Sequence, residues 1–235
     1  MTSPVHYIPI LTTLLSAFFF IILLRHWMKK PTGYFLWWTL GVFFYGAGTV
    51  TESLTTLFGW SEPVFKAWYI LGALLGGAPL AQGTIYLLMK KRTADILSIC
   101  LVLAVVTGSV VCILSPIDYS KVETYRLSGK VLEWNAVRFF PPFINTYSLI
   151  FFVGGAAYSA WGYWKKKVSM NRCYGNILIA VGGLLPGIGG TFTRYGYVEV
   201  LYITEFVGLI LIYLGYNLIK NERVQSIHSN QTVTA

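Results

Sequence analysis

The side chains of this sequence that can do chemistry are few, and they stand in unusual surroundings. Glu52, Glu199 and Glu205 interrupt long apolar stretches, where an ionised group is costly and needs a partner or a purpose. Glu205 is the deepest, about 9 Å of helical rise beyond Glu199. Helical spacing puts Glu199, Tyr202, Glu205, Leu209 and Tyr216 on one face. The same spacing aligns Gly41, Tyr45, Thr49 and Glu52, then Lys66, Tyr69, Ala73 and Gly76. It also aligns Arg138, Asn145, Phe152 and Ser159, and finally Gly187, Thr191 and Arg194.

Two readings fit these stripes. In the first, their charged ends gather around a polar cavity that takes a small polar or amphipathic ligand. Arg138 and Arg194 hold the ligand, Glu205 exchanges a proton or binds a cation, and Glu52, Glu199, Lys66, Tyr69, Tyr202 and Asn145 complete the wall. In the second, the charges form a network of ion pairs and hydrogen bonds that ties helix ends together, which suits Glu52, Glu199 and Lys66 best. Proline frees backbone carbonyls and bends helices, so Pro79, Pro142 and Pro186 are candidate hinges beside such a cavity. Pro186, among the glycines of GGLLPGIGG, is the clearest of the three.

Several other chemistries find no residues to carry them. His6, His26 and His228 give no HExxH and no pair placed to ligate haem, and Asp95 and Asp118 are the only aspartates. Gly-x-Ser-x-Gly and phosphate-binding loop motifs are absent. Cys100, Cys112 and Cys173 form neither a CxxC pair nor a disulfide framework. The pattern therefore calls for no catalytic residue, no metal and no cofactor. Proton chemistry by the carboxylates on a lipid or isoprenoid remains an open alternative.

The elements that must position these residues are long and apolar. Of 235 residues, 55% are hydrophobic and 11% charged, against roughly 25% charged in an ordinary soluble domain. A helix needs about 20 apolar residues to cross a hydrocarbon core of roughly 30 Å. Seven blocks meet that length, at about 7–27, 34–57, 65–88, 94–115, 139–163, 174–193 and 198–219. The expected fold is an all-α integral membrane protein of seven transmembrane helices in a single domain, residues 1–235. The first block has no basic residues ahead of it and no small-residue cleavage site, which marks it as a retained span rather than a signal peptide.

The net charge of +9 sorts by side. Arg25, Lys29, Lys30, Lys90, Lys91, Arg92, Lys165, Lys166, Lys167, Arg172, Lys220 and Arg223 fall on one side of the alternating blocks. Lys66, Lys121, Arg126, Lys130, Arg138 and Arg194 fall on the other, together with most of the acids. The side richer in Lys and Arg faces the cytoplasm, so the N-terminus is expected outside and the tail, 220–235, inside. This places the protein in a cell membrane, plasma or inner, with lipid as its first partner and no nucleic acid. The long connection at 116–137 then lies outside, and its Ser-Gly step within TYRLSGKVLEW fits a small hairpin or a solvated spacer.

The blocks also resemble one another. YIPILTTLLSAFFF in the first matches FFPPFINTYSLIFF in the fifth, with Pro9 on Pro142 and Thr13 on Thr146. YGAGTVTES in the second matches PGIGGTFTR in the sixth, and the third and seventh share an aromatic start and a basic end. Matched blocks run in the same direction, which predicts a 3+1+3 parallel repeat with the fourth block as linker. That arrangement is similar to the one shared by sugar transporters of the SWEET type and by microbial opsins. The resemblance is of architecture only. Retinal chemistry is excluded, because no lysine lies between Glu199 and Ile219 to form the Schiff base. Pro-Gln motifs of the transporter type are approximated only by APLAQG at 78–83.

The expected function is therefore to bind a small polar or amphipathic molecule in a charged pocket in the outer half of the bundle, with its passage across the bilayer as the further expectation. The alternative is a receptor or accessory subunit of a larger complex, working through a membrane-protein partner or a second copy of itself.

Overall fold

The computed structural model describes residues 4–124, 126–193 and 195–233, with side chains described as far as 222. Six of its helices are long and apolar enough to cross a membrane. They are α1 (Ile8–Lys29), α3 (Glu62–Leu88), α4 (Lys91–Leu114), α5 (Asn135–Lys166), α6 (Met170–Thr193) and the first part of α7 (Val198–Val233). The remaining helix, α2 (Gly33–Phe58), has 26 residues and so spans about 39 Å, but it is less apolar than the others. Its polar residues lie inside the protein: Thr39, Thr49, Thr51, Glu52, Ser53, Thr55 and Thr56 are all buried.

The helix limits follow from proline and glycine. α1 starts after a 3-10 turn, Pro4–Tyr7, with Pro9 in its first turn, and stops just before Pro31. α2 ends at Gly59, whose φ of 82° is open to glycine without strain. α3 is broken. Its α-helical start, Glu62–Trp68, passes into a π turn at Tyr69–Leu74 and a bend at 75–77, then resumes as Ala78–Leu88. Pro79, a candidate hinge, sits just after that bend, where its missing N–H leaves the backbone unpaired at no cost. α5 opens on a 3-10 turn and then carries its own π turn at Leu149–Val153. Pro142 stands in its first α-helical turn, a position that starts a helix rather than bending it. Pro186 lies inside α6 without interrupting it.

The helices pack in chain order around a ring, α1 on α2 through α6 on α7, and α7 closes on α1. α4 packs only on α3 and α5, at the periphery. It is nonetheless pinned by a buried polar chain. Tyr147 of α5 donates to Gln82 Oε1 of α3, and Gln82 Nε2 donates to Ala94 O (2.9 Å) and Ser98 Oγ (2.7 Å) of α4. Tyr86 then donates to Asp95 Oδ1 at 2.8 Å. Gln82 is fully buried, with both N–H groups and its oxygen hydrogen-bonded, as a low-dielectric interior demands.

The tightest contact joins α6 and α7. Gly182 and Gly208 face each other so closely that a Cβ on Gly182 would stand 2.5 Å from the Gly208 carbonyl oxygen, and one on Gly208 2.6 Å from that of Gly182. Gly175 and Gly215 repeat the arrangement one heptad along, and Gly189 lies against Leu201. Small residues let backbones approach where bulk would hold them apart.

The segment at 115–134 covers one end of the bundle, called here the loop end. In place of the expected hairpin it forms short 3-10 turns at Tyr119–Lys121 and Gly129–Val131, with isolated antiparallel pairings of Ile117 with Leu132 and Glu123 with Arg126. Ser128 caps the second turn through Lys130 N instead of turning two strands. Leu127, Val131 and Leu132 are buried among Phe65, Tyr69 and Val137, so the apolar residues that suggested strands serve as a plug. Lys121 and Ser120 hydrogen-bond Asp118 and hold its carboxyl down at about 2.

Replacing Gly182 or Gly208 by valine is expected to lower the melting temperature in mild detergent by several degrees, at a cost of about 1–3 kcal/mol. Gly187→Ala, whose new methyl would meet nothing within 4 Å, is the control and is expected to melt as the parent does. Identical melting of all three variants would rule out the close backbone contact.

Candidate functional site

A cavity of about 920 Å³ lies between α2, α3, α5, α6 and α7, below the 127–130 turn. α1 and α4 do not reach it. Its shape follows from the helices' irregularities. The break in α3 places Gly72, Gly76 and Gly77 on the wall, and Gly48 of α2 approaches Gly72 closely enough that an added Cβ would sit 3.2 Å from its Cα. α6 turns its Gly175, Gly182 and Gly189 face to α7, which leaves Gly187 and Gly190 on the cavity side with open space beside them.

The cavity is open sideways. α5 packs on α6 from Leu149 onward, but its Phe140–Ser148 turns do not pack closely there. Between them Asn145, Thr146, Gly187 and Thr191 line the cavity and are exposed, and Leu149, Leu184 and Ile188 border the gap with exposed apolar surface.

Two carboxyl groups form the cavity's inner wall. Glu52, on α2, is 2% exposed, and its Oε1 accepts a hydrogen bond from Trp68 Nε1 of α3 at 3.0 Å. Glu205 approaches from α7, and its carboxyl neighbours that of Glu52. Tyr45 of α2 donates to the Glu205 backbone carbonyl at 2.9 Å and so fixes the height of α7 against α2. The two carboxyl groups lie within hydrogen-bonding reach of each other, and Oε2 of each accepts from no N–H or hydroxyl among the described residues. A buried carboxyl pair on a cavity wall, with no other donor to its facing oxygens, requires something positive between the two groups.

The other candidates are placed differently. Lys66 does not reach the cavity: its Nζ pairs with Glu62 Oε1 at 2.7 Å and donates to Ile113 O at 2.9 Å, clipping α3 to the end of α4. Arg138 touches the cavity rim, but its guanidinium is spent on the loop, with Nε on Gly129 O (3.1 Å) and Nη2 on Lys130 O and Leu132 O (2.9 Å each). Tyr69 lines the wall and donates to Val137 O at 3.1 Å, and Asn145 lines the open side. Tyr202 is buried behind the pair, its ring edge-on to His6 and its hydroxyl unpartnered among the described residues. Glu199 lies 3.8 Å from His6 Nε2, in a second hollow of about 430 Å³ shared with Glu123 and Arg126. Pro142 and Pro186 line the main cavity and Pro79 does not. Arg194 lies outside the described residues.

The expected meeting of Glu52, Glu199 and Glu205 with Lys66 and Arg138 is thus not what the structure shows. Local partners take both cations: Glu62 stands one helical turn before Lys66, and three loop carbonyls match the fork of Arg138. Trp68 and Tyr45 are the residues that sequence reasoning left out of the site. Tyr45 shares a stripe with Glu52, and Trp68 follows at helical spacing ahead of Gly72 and Gly76, so a signal existed for each.

Chemically, two adjacent carboxyl groups away from water repel when both are ionised, and become compatible with a proton or a cation between them. Among the described residues no three His, Cys, Asp or Glu side chains gather, so the pair acts without a larger ligand set. The chain matches no protein-family model, and no curated protein or solved structure is similar to it.

Trp68→Phe removes the donor to Glu52 Oε1 and is expected to cost about 1–3 kcal/mol of stability. In a Glu52→Leu background the same change is expected to cost markedly less. Equal costs in both backgrounds would assign the role of Trp68 to packing alone.

Proposed function

We propose that this is a seven-span membrane protein that binds, and carries between the bilayer and the outer face, a small amphipathic molecule in the cavity of Glu52 and Glu205. The observation that carries this reading is the sideways gap between α5 and α6. A soluble ligand has no need of an opening bordered by Leu149, Leu184 and Ile188, whereas a molecule dissolved in lipid can pass between them with its polar group turned inward. The volume of about 920 Å³ suits a drug-sized molecule.

In this reading α2 is the seventh span, and its low apolarity is a result of its central place, since its polar face meets other helices rather than lipid. The N-terminus and the loop end are outside and the tail is in the cytoplasm, following the basic residues. The 3+1+3 repeat gains support from the peripheral α4 and from the matched 3-10 turns and prolines that open α1 and α5. A second reading, a subunit whose partner lays a helix into the α5–α6 gap, is favoured by the same exposed apolar border.

Two measurements test these statements. A single cysteine at position 128, in a variant with the native cysteines replaced, is expected to react with a membrane-impermeant maleimide added to intact cells, and one at 167 only after permeabilisation; the reverse pattern would invert the topology. For binding, the purified protein in nanodiscs is expected to be stabilised by several degrees by at least one class of neutral, anionic or cationic amphiphile. Gly187→Trp, which fills the open space beside α6, should abolish that shift. A protein unresponsive to every class, and purified with a stoichiometric membrane partner, would favour the subunit reading instead.

A further inference from the structure

We propose that the molecule taken by this cavity is an amphipathic organic cation, a protonated amine or quaternary ammonium on an apolar body, with its charge lodged between Glu52 and Glu205. The inference rests on the cavity reading above and names the ligand's chemistry.

Charge is the first argument. Glu52 is 2% exposed and lines the cavity, its carboxyl lies against that of Glu205, and neither Oε2 meets an N–H or hydroxyl donor among the described residues. Among the described residues, the cations expected to meet them are committed elsewhere: Lys66 to Glu62 and Ile113 O, and Arg138 to three loop carbonyls. Lys130 lines the cavity from the 127–130 turn, with no ion pair to either glutamate. Two adjacent carboxyl groups with no ion-paired cation among the described residues favour a positive guest and repel a negative one.

The second argument is the lining around the pair. Tyr45, Trp68 and Tyr69 line the same cavity, Trp68 bonded to Glu52 and Tyr45 to the Glu205 backbone. The faces of such rings attract ammonium groups, Trp most strongly, and need no hydrogen bond from the guest. A quaternary ammonium, which has no N–H to give, is thus accommodated as well as a primary amine. The remaining wall, with Leu80, Leu149, Phe152, Leu184, Ile188 and Ile212, is apolar and continues to the gap between α5 and α6. A guest with its charge at the glutamates leaves its apolar body in that passage, where the membrane's hydrocarbon begins.

The test uses two ions of the same shape and opposite charge, tetraphenylphosphonium and tetraphenylborate, with uncharged triphenylphosphine oxide as a third probe. Equilibrium dialysis against the full chain in nanodiscs is expected to show phosphonium binding at least about tenfold tighter than borate or oxide. Glu52→Gln and Glu205→Gln are each expected to weaken phosphonium binding by about tenfold or more, while Glu199→Gln, off the cavity, leaves it unchanged. Borate or oxide binding as well as phosphonium, with all three lost in Gly187→Trp, would overturn the cation and keep the cavity. Phosphonium binding undiminished in Glu205→Gln would overturn the carboxyl pair as its seat. Binding of none of the three to a protein that other amphiphiles still stabilise would also overturn the cation, and absence of any stabilisation would remove the cavity reading with it. Should a glutamine variant fail to fold, the comparison of phosphonium with borate on the unaltered chain decides.

Discussion

The approach of α6 to α7 through paired glycines is the constraint on which the rest of the bundle depends. Gly182 against Gly208, and Gly175 against Gly215, let two backbones touch, and a helix can offer such a face to only one neighbour. α6 has given that face to α7. Its other side is therefore held away from the first turns of α5, and the space left over is the cavity. The same contact, with the Tyr45 bond to the Glu205 carbonyl, sets the height at which Glu205 reaches the interior. The carboxyl pair is in this sense a product of packing several residues away from it.

Polar groups in this bundle fall into two kinds. Gln82, Tyr147, Ser98, Tyr86 and Asp95 satisfy one another in a closed chain, and they hold the peripheral α4 to α3 and α5. An apparently featureless helix is thus fastened by Asp95 and Ser98, in its first two turns. Glu52 and Glu205 are of the other kind, since they face each other with no further donor to either Oε2 among the described residues. A network of donors and acceptors closes on itself, whereas two facing acceptors close only around a positive charge.

The helices were legible in the sequence because length and apolarity together leave few alternatives, and proline and glycine marked most of the ends. α2 illustrates the limit of that signal, since Thr49, Thr51, Glu52 and Thr55 lower its apolarity while being the most deeply packed part of it. Glu52, Glu205, Tyr69 and Asn145 were legible as wall residues from their stripes. The partners of Lys66 and Arg138 were not. One went to an acid a turn away on its own helix and the other to loop carbonyls, and no side-chain pattern reports the conformation of a loop. The segment at 116–137 failed as a hairpin for a related reason: Val131 and Leu132 suit a strand and suit burial under Phe65 equally well.

The two π turns, at Tyr69–Leu74 and Leu149–Val153, both border the cavity. Each holds one residue more than the α turn it replaces, which twists everything beyond it by about 100° about the helix axis. An extra residue in a membrane helix would ordinarily swing its lipid-facing side inward along the whole remaining length. In α3 residues on both sides of the turn stay on the cavity wall, Trp68 before it and Gly76, Gly77 and Leu80 after it, whereas α5 leaves the wall once its turn is complete. Each of these helices is thus two shorter rods in one chain, and the single surplus residue between them sets which side of the second rod looks inward.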